Sequence, residues 1–479
     1  MNVKMIVYTL GKVLQVVGLL LLIPLLVALY YRESCAWALA ATAAGMIAAG
    51  VGMAWRKPEN RMIYAREGFL IVALAWIGIS LTGALPFWLS REIPSFVDAF
   101  FEAVSGFTTT GSSILVDVES MSRGLLFWRS FTHWIGGMGV LVFVMAIMPL
   151  GGNRSMHLLR AESPGPEVGK LAPTMRSTAM ILYGIYIILT ALQTALLLLG
   201  GMPLYDSLIT TFGTVGTGGF SSRAASIAAY DSAYIDAVVT IFMILCGVNF
   251  NLYYQLLLRQ AKPMLKSEEL RWYLGIQLTA MLVITVNILP QYASFGQAFR
   301  HASFQVASIN STTGFATADY NLWPELSKSV LVLLMLCGCM AGSTGGGIKT
   351  VRIIMAFKGV GREIRRMLHT RSVSALRVEG KPIHEETVVG VNLFLILYTG
   401  IICASTLLIS ADGFDFTTNL TAAIATISNI GPGLNIVGPT GNFAHFSAFS
   451  KLVLSANMLI GRLEIFPLII LFTPTVWKR

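Results

Sequence analysis

Four short stretches of this sequence combine threonine with glycine in a similar order, and the chemistry that they offer is that of the backbone. The first stretch, residues 105–112, reads Ser-Gly-Phe-Thr-Thr-Thr-Gly-Ser. Glycine lets the chain adopt conformations that turn carbonyl oxygens away from a helix. Several such carbonyls around one axis, helped by threonine hydroxyls, can replace the hydration shell of a cation. The pattern therefore predicts cation coordination by the main chain rather than covalent chemistry.

The stretch recurs three times at intervals of about a hundred residues when Gly111, Gly219, Gly314 and Gly433 are taken as equivalent. The candidate coordinating residues are Thr108, Thr109, Thr110, Gly111, Gly216, Thr217, Gly218, Gly219, Ser311, Thr312, Thr313, Gly314, Ile430, Gly431, Pro432 and Gly433. Two copies lack a threonine directly before the glycine and have Gly218 or Pro432 instead. Because proline fixes its own φ, we expect the fourth copy to contribute unequally.

Each stretch follows a segment that is too short to cross a membrane. These segments cover residues 95–107, 204–213, 297–309 and 416–428. A helix of about 12 residues spans roughly 18 Å, whereas the hydrocarbon core is about 30 Å thick. We therefore expect each helix to enter the membrane and stop there. The negative end of its dipole would then lie near the glycine stretch and favour a cation.

The composition is that of a polytopic membrane protein. The 479 residues are 55% hydrophobic and 12% charged, with a mean hydropathy of +0.70, whereas soluble domains carry about 25% charged residues. The formal charge of +10 comes from basic residues in short polar loops, so nucleic acid is not an expected partner. The five cysteines lie in or beside apolar segments, which argues against a disulfide framework and a zinc site.

The apolar segments predict ten membrane-spanning helices and four short re-entrant helices. Two spans fall in residues 1–67, and four units follow at 68–177, 178–272, 273–386 and 387–479. Each unit has a spanning helix, a re-entrant helix and a return helix, the last expected at about 125–150, 233–258, 327–357 and 446–472. We expect an all-α polytopic membrane protein with four units in a pseudo-fourfold arrangement and two additional N-terminal transmembrane helices.

Loop charge predicts the orientation of these helices. Basic residues such as Arg154, Lys170, Arg259 and Arg365 follow the return helices, whereas the opposite loops hold few. By the positive-inside rule both termini are cytoplasmic, and all four re-entrant helices enter from outside. The four units then share one orientation. An alternating-access transporter would instead be expected to contain inverted repeats.

The return segment of unit three is interrupted by glycine at membrane depth. Residues 338–347 include five glycines, and each costs about 1 kcal/mol relative to alanine in a helix. We expect a flexible gating loop here, and the candidate gate residues are Gly342, Gly345, Gly346, Gly347, Lys349 and Arg462. A phosphate-binding loop is disfavoured because Ile348 stands where its lysine is required and no strand precedes it.

Arg462 lies midway along the last predicted span, where a charge faces a cavity or a partner. Two roles are open for it: an ion pair with Glu464 or another acid, and a positive barrier on the ion path. Lys349 is a second candidate for this barrier, unless it lies at the cytoplasmic end of its helix. Arg129 and His133, one helical turn apart, are expected to pack and form hydrogen bonds at the outer end of their helix.

Other classes of function are less well supported. One Thr-Gly pair is ordinary packing sequence in membranes, but four copies after short helices disfavour that reading. A sodium-coupled symporter that works by alternating access would predict inverted repeats. An intramembrane enzyme needs a catalytic pair at membrane depth, and the six scattered histidines suggest neither a catalytic triad nor a metal site.

The glycine stretches resemble the four filters of the Trk/Ktr/HKT superfamily of potassium transporters. Residues 127–139, 342–350 and 461–464 also resemble its motifs, so that the similarity covers nearly the whole chain. The two additional N-terminal helices make the sequence similar to TrkH-type membrane subunits rather than to KtrB-type proteins.

The resemblance implies potassium uptake across the bacterial inner membrane. K⁺ would be the transported ion, held only at filter carbonyls, with no cofactor and no enzymatic activity. The subunit would form a homodimer in the lipid bilayer, regulated by a cytosolic TrkA-type ring that binds nucleotides. The unit-three loop would be the intramembrane gate. A sodium-coupled KtrB-like transporter is the alternative, and one glycine per filter copy implies weaker exclusion of sodium than in tetrameric channels.

Overall fold

The computed structural model describes residues 1–60, 63–139, 142, 175–369 and 375–474, which are almost entirely helical. The helices are α1 (Val3–Leu20), α2 (Leu22–Tyr30), α3 (Ala36–Met53), α4 (Ala65–Gly83), α5 (Leu85–Leu89), α6 (Phe96–Phe107), α7 (Arg123–Gly137), α8 (Met175–Leu199), α9 (Leu204–Val215), α10 (Ala233–Cys246), α11 (Phe250–Leu257), α12 (Ala261–Lys266), α13 (Glu268–Ile288), α14 (Phe295–Asn310), α15 (Glu325–Cys337), α16 (Thr350–Leu368), α17 (Glu385–Ile409), α18 (Phe416–Ser428), α19 (Ala448–Arg462) and α20 (Phe466–Leu471). A hairpin of β1 (Arg377–Val378) and β2 (Lys381–Pro382) precedes α17.

Long apolar runs form the spanning helices, because a helix satisfies its own backbone hydrogen bonds in lipid. Within the described ranges, six helical segments are long and apolar enough to cross a membrane: Val3–Tyr30, Ala36–Met53, Arg66–Leu89, Arg176–Leu199, Glu268–Gln291 and Glu385–Asp412. They match the two predicted N-terminal spans and the predicted first helix of each unit. The prediction of an all-α polytopic membrane protein is confirmed.

The short helices α6, α9, α14 and α18 form where the sequence predicts them, and local capping sets where they begin. Ser294 accepts a hydrogen bond from the backbone N–H of Gln297 at 3.2 Å. Asp415 accepts one from the N–H of Thr418 at 3.0 Å. Such N-caps satisfy amide groups that an isolated helix end leaves without partners. The predicted segment 416–428 coincides with α18.

The four units close into a ring through their short helices. Each return helix packs against the short helix of the next unit: α7 against α9, α10 against α14, α15 against α18, and α19 against α6. Ion pairs reinforce two of these boundaries, between Arg300 and Asp236 at 2.7 Å and between Lys451 and Asp98 at 2.6 Å. The cyclic order confirms the predicted pseudo-fourfold arrangement.

The return segment of unit two is not the single helix over 233–258 that the sequence predicts. It is broken into α10 and α11, which are bent by 94°. Asn249 caps α11 by accepting from the N–H of Asn251 at 2.9 Å. The backbone at the break bonds to the unit-three segment, since Phe250 N–H donates to Gly342 at 3.0 Å and Gly247 accepts from Met340 at 3.1 Å. A distant partner therefore stabilises a break that local sequence only weakly indicates.

The return segment of unit four is also interrupted, contrary to the prediction of one helix over 446–472. Helix α19 ends at Arg462, and Glu464 and Ile465 have positive φ of 55° and 70°. Pro467 then occupies the first turn of α20, where its missing N–H is tolerated. In unit one, α7 ends at Gly137. Most of the remaining predicted helix lies outside the described residues, as does the basic loop with Arg154 and Lys170.

The N-terminal helices α1 and α3 cross closely at two glycines. A Cβ atom on Gly50 would lie 2.6 Å from the carbonyl oxygen of Gly11, and one on Gly11 would lie 2.8 Å from that of Gly50. The side-chain amide of Gln15 donates to the Gly50 carbonyl at 2.7 Å. Small residues at a crossing let two membrane helices approach each other and gain van der Waals contact.

Replacing Gly50 by leucine is therefore expected to push α1 and α3 apart. Overpacking of this kind costs about 1–3 kcal/mol, so the unfolding temperature of the detergent-solubilised protein should fall by a few degrees. Gly45→Leu is the matched control, because Gly45 lies on the same helix and a Cβ there meets no atom within 4 Å. Equal melting temperatures for the two variants would contradict the close crossing.

Candidate ion-conduction site

Each short helix ends in the same backbone turn, and these are called turns one to four below. In turn one, the N–H of Thr110 donates to the carbonyl of Ser105, five residues earlier, at 2.9 Å. Equivalent bonds of 2.7, 2.9 and 3.0 Å join Gly218 to Gly213, Thr313 to Ser308, and Ile430 to Ala425. The turns therefore comprise residues 108–111, 216–219, 311–314 and 428–431. Their common hydrogen bond is that of a Schellman helix end.

Every turn contains two residues with a positive, left-handed φ. The first is not glycine: it is Thr109, Thr217, Thr312 or Asn429, with φ between 55° and 59°. Such values are uncommon outside glycine and asparagine and carry strain. Two positions later comes a glycine with φ of 83°, 81°, 86° or 94°, which is Gly111, Gly219, Gly314 or Gly431. The same strained geometry four times over indicates a shared function.

The repeat in unit four is therefore shifted from the one predicted. Gly431, not Gly433, is equivalent to Gly111, because it has the matching φ and follows the matching hydrogen bond. Gly433 lies beyond the turn, where its N–H donates to the carbonyl of Val437 at 2.7 Å. Pro432 follows the glycine, and Ile430 precedes it. Pro432 therefore lies outside the shared turn, and the unequal contribution of the fourth copy stays a prediction. The left-handed Asn429, a residue that tolerates this conformation, was the overlooked signal.

The four glycines bring the turns together around a closed ring. A Cβ atom on Gly111 would overlap the carbonyl of Gly218, and one on Gly219 would overlap that of Thr313. A Cβ on Gly314 would likewise overlap the carbonyl of Ile430, and a Cβ on Gly431 would lie 2.8 Å from the carbonyl oxygen of Thr110. Turn one thus contacts turn two, turn two contacts turn three, turn three contacts turn four, and turn four contacts turn one. Only glycine fits at these four positions.

A small cavity of about 100 Å³ adjoins the ring, and residues of all four units line it. The glycines of the four turns contribute to its wall, together with Ser112, Pro432 and Phe443. The C-terminal ends of α6, α9, α14 and α18 all point to this region, since each turn directly follows its helix. Their partial negative charges favour a cation over an anion there.

Side-chain hydrogen bonds fix the turns to one another. The hydroxyls of Thr108 and Thr110 are 2.8 Å apart, and those of Ser311 and Thr313 are 2.7 Å apart. The Asn429 amide donates to the Thr110 hydroxyl at 2.9 Å, which joins turn four to turn one. In return, the Ser112 hydroxyl donates to the Gly431 carbonyl at 3.0 Å. All these residues are buried.

The glycine-rich loop of unit three, residues 338–349, lies against the helix side of turns three and four. The N–H of Gly346 donates to the Thr312 hydroxyl at 2.7 Å. A Cβ on Gly345 would lie 2.9 Å from the Ser311 carbonyl oxygen, and one on Gly346 would meet the carbonyl of Ser428. Gly342 and Gly347 have φ of 73° and 75°. The loop thus packs closely against the ring.

Arg462 joins this loop to unit one. Its guanidinium donates to the carbonyl of Thr344 at 2.8 Å and to those of Gly136 and Gly137 at 2.6 Å each. Glu464, one partner considered for it, instead accepts from both terminal nitrogens of Arg352, at 3.2 and 2.6 Å. Carbonyl groups of two units therefore surround the Arg462 charge.

Lys349 is buried at the end of the loop, directly before α16. It has a φ of 77°, and its ammonium group donates to the Gly345 carbonyl. This places it at the beginning of a helix, in a loop that packs against the ring. Both candidate cations thus contact the loop, one from within it and one from α19.

Glu269 is a contributor that sequence reasoning missed. Its carboxylate accepts from the N–H of Ala341 within the loop at 2.8 Å and from that of Val351 in the first turn of α16 at 3.1 Å, and so joins the loop to α16. Glu379, in the hairpin between β1 and β2, accepts from the N–H of Glu269 at 3.0 Å. A chain of contacts therefore connects the loop to the hairpin. Two adjacent acids at the beginning of an apolar helix were the available sequence signal.

Arg129 and His133 pack and form hydrogen bonds, as expected, and their partners lie beside the ring. Both are buried, and their side chains contact residues that lie just before turn one and just after turn two. Arg129 pairs with Glu102 of α6 at 2.5 Å, and His133 contacts the carbonyl of Gly106 at 2.7 Å. The sequence indicates the motif that contains them but not the residues that this motif contacts in the fold.

Comparison with known proteins is consistent with this geometry. Residues 38–479 match the family model described as TrkH, Cation transport protein. The chain is 38% identical to the Trk system potassium uptake protein TrkH of Salmonella typhimurium, over 97% of this chain and 99% of that protein. It is 33% identical to the Trk system potassium uptake protein TrkG of Escherichia coli K12, over 100% and 99% respectively. The crystal structure of the potassium transporter TrkH from Vibrio parahaemolyticus matches with a TM-score of 0.90, at 33% identity over 100% of both chains. This chain belongs to the TrkH family of cation transport proteins.

Proposed function

We propose that this chain takes up K⁺ across the bacterial inner membrane through the ring formed by turns one to four. The single observation that carries the proposal is the closed ring itself, in which backbone carbonyls and helix C-terminal ends converge. Such carbonyls can replace the water around a dehydrated alkali ion. The choice of K⁺ is supported by the names of the relatives, which are potassium uptake proteins. The family is one of transporters rather than enzymes, so no covalent step is involved.

The loop 338–349 acts as the gate and is closed in this arrangement. It packs against Ser311, Thr312 and Ser428 on one side of the ring. An ion leaving the ring on that side would meet the loop and the charges of Arg462 and Lys349. Opening therefore requires the loop to leave the ring, with its contacts to Glu269 and Arg462 broken or rearranged.

Several further features belong to the proposal. The pore units occupy 68–177, 178–272, 273–386 and 387–479, after two N-terminal helices in 1–67. Both termini are cytoplasmic, and the cavity of about 100 Å³ faces the outside. The subunit forms a homodimer, and a cytosolic TrkA-type nucleotide-binding ring regulates it. The hairpin at Glu379 offers one mechanical route from the cytoplasm to the loop, through Glu269.

The function is tested by ion flux into liposomes that contain the purified protein. We expect K⁺ uptake that requires neither Na⁺ nor a pH gradient, and growth rescue of a bacterium lacking its own potassium uptake. Uptake that depends strictly on Na⁺ would favour the sodium-coupled alternative, and dependence on a second solute would favour alternating access. Absence of any alkali-ion flux by correctly inserted protein would refute the proposal.

Gly431→Ala is expected to lower the ratio of K⁺ to Na⁺ flux by about tenfold, because strain of about 1–2 kcal/mol adds to a steric clash at the ring. Gly413→Ala is the matched control, since Gly413 has a φ of 78° but open space around a Cβ. Gly433→Ala tests the corrected repeat, because its Cβ would contact Thr421 and Val437 rather than a neighbouring turn. Loss of selectivity in the Gly433 variant alone would contradict the assignment.

Arg462→Gln is expected to raise K⁺ flux in the absence of any regulatory partner by about tenfold. The change removes hydrogen bonds from a charged group, each worth about 1.5–3 kcal/mol, and so frees the loop. Arg462→Lys separates the two proposed roles, since it keeps the charge but not the three-carbonyl contact. High flux in both variants indicates a tether, and high flux in the glutamine variant alone indicates an electrostatic barrier. Unchanged flux in both would exclude Arg462 from the gate.

A further inference from the structure

Helix α7 lies between turns one and two, and His133 contacts a residue beside each of them. The imidazole Nδ1 is 2.7 Å from the carbonyl oxygen of Gly106, in the helix that leads into turn one. Its Nε2 accepts a hydrogen bond of 3.3 Å from the N–H of Phe220, which directly follows turn two. Since Nε2 accepts, the proton of the neutral ring is on Nδ1 and is donated to Gly106. The ring also stacks on Phe220, with centroids 4.2 Å apart.

The pair of Arg129 and Glu102 supports the same two turns, one helical turn from His133. The Glu102 carboxylate accepts from the Ser113 hydroxyl and from the Ile114 N–H, both at 2.9 Å, just after turn one. The Arg129 guanidinium donates to the Ser221 carbonyl at 3.3 Å, just after turn two, and lies 3.5 Å from the centroid of the Phe220 ring. The segments leaving both turns are thus attached to one face of α7.

His133 explains why turn two has glycine where turns one and three have threonine. A Cβ atom on Gly218 would overlap the imidazole atoms Cγ, Cδ2 and Nδ1 of His133. The space that a side chain would use at this position is already filled from α7. At the three equivalent positions, the turns supply their own side chains, which are Thr110, Thr313 and Ile430. Gly218 and His133 therefore form a complementary pair.

We propose that His133 is a positioning residue that sets the spacing between the carbonyls of turns one and two, and thereby the preference for K⁺ over Na⁺. The inference rests on the proposed function, because it needs the ring to conduct. Its physical basis is that ring-shaped coordination discriminates by the arrangement and freedom of its oxygens. A rigid aromatic ring that is hydrogen-bonded to a residue just before turn one and to a residue just after turn two limits the relative movement of the two turns. No contact of His133 with the ion is involved.

The test is a double-mutant cycle between positions 133 and 218, read out as K⁺ and Na⁺ flux in liposomes. Gly218→Thr alone is expected to abolish flux, because the new side chain collides with the imidazole. His133→Ala alone should keep K⁺ flux but lower the K⁺ to Na⁺ ratio by about tenfold, the scale of losing one or two buried hydrogen bonds. The double variant should recover K⁺ flux at least about tenfold over Gly218→Thr, since the threonine then has room.

Two further variants keep the outcome unambiguous. His133→Asn retains a donor near the position of Nδ1 and should have an intermediate ratio, and it replaces the alanine variant if that one does not fold. His301→Ala is the matched control, because His301 stacks on Tyr292 and contacts Thr317, away from the four turns. We expect its flux ratio to equal that of the unaltered protein.

The proposal is overturned if His133→Ala and His133→Asn, both folded, keep the original K⁺ to Na⁺ ratio. It is also overturned if the double variant is folded but conducts no better than Gly218→Thr. Failure of the unaltered protein to conduct alkali ions would instead refute the proposed function. The two failures are distinguishable because the unaltered protein is measured first.

Discussion

The structure depends on holding four irregular backbone turns in the middle of a bundle of apolar helices. Lipid offers no hydrogen-bond partner, so every polar group there must be satisfied by the protein or by a water-filled path. Each turn has a hydrogen bond back to its helix and contains a non-glycine residue in a left-handed conformation. The glycine that follows places the turn against its neighbour with no room for a side chain. Strain of this kind persists only where surrounding contacts determine the geometry, and the return helices supply those contacts.

The interruptions of the return segments lie close to one another, and their backbone groups also need hydrogen-bond partners within the protein. The break after α10 bonds to the unit-three loop through Gly342 and Gly247. The break after α19 places Arg462 against the loop and against the end of α7. Glu269 satisfies two further amides, one within the loop and one in the first turn of α16. Irregular segments from different units thus form hydrogen bonds with one another. A movement of one segment therefore has to break or rearrange hydrogen bonds of the others.

Much of the fold could be predicted because it depends on local properties of the sequence. Apolar length located the first helix of each unit, and the segment 416–428 was placed correctly. The incorrect or missing predictions concern segments whose structure is determined by residues that are distant in sequence. Local sequence does not show that Gly247 and Asn249 break a helix, because the bonds that stabilise the break come from Met340 and Gly342. Gly433 was chosen over Gly431 because two nearby glycines suit the motif equally, and only the left-handed Asn429 separates them. Glu102 and Glu269 could not be assigned, since their partners are distant in sequence.

Four turns of nearly identical backbone are supported by different side chains. Thr110 is bonded to Thr108 and Asn429, and Thr313 is bonded to Ser311. Gly218 has no side chain, and an imidazole from α7 takes its place. In a ring of identical subunits, any support would be repeated four times. A single chain with four units permits a separate support for each turn, so the geometry of the ring can be adjusted at one position without altering the other three.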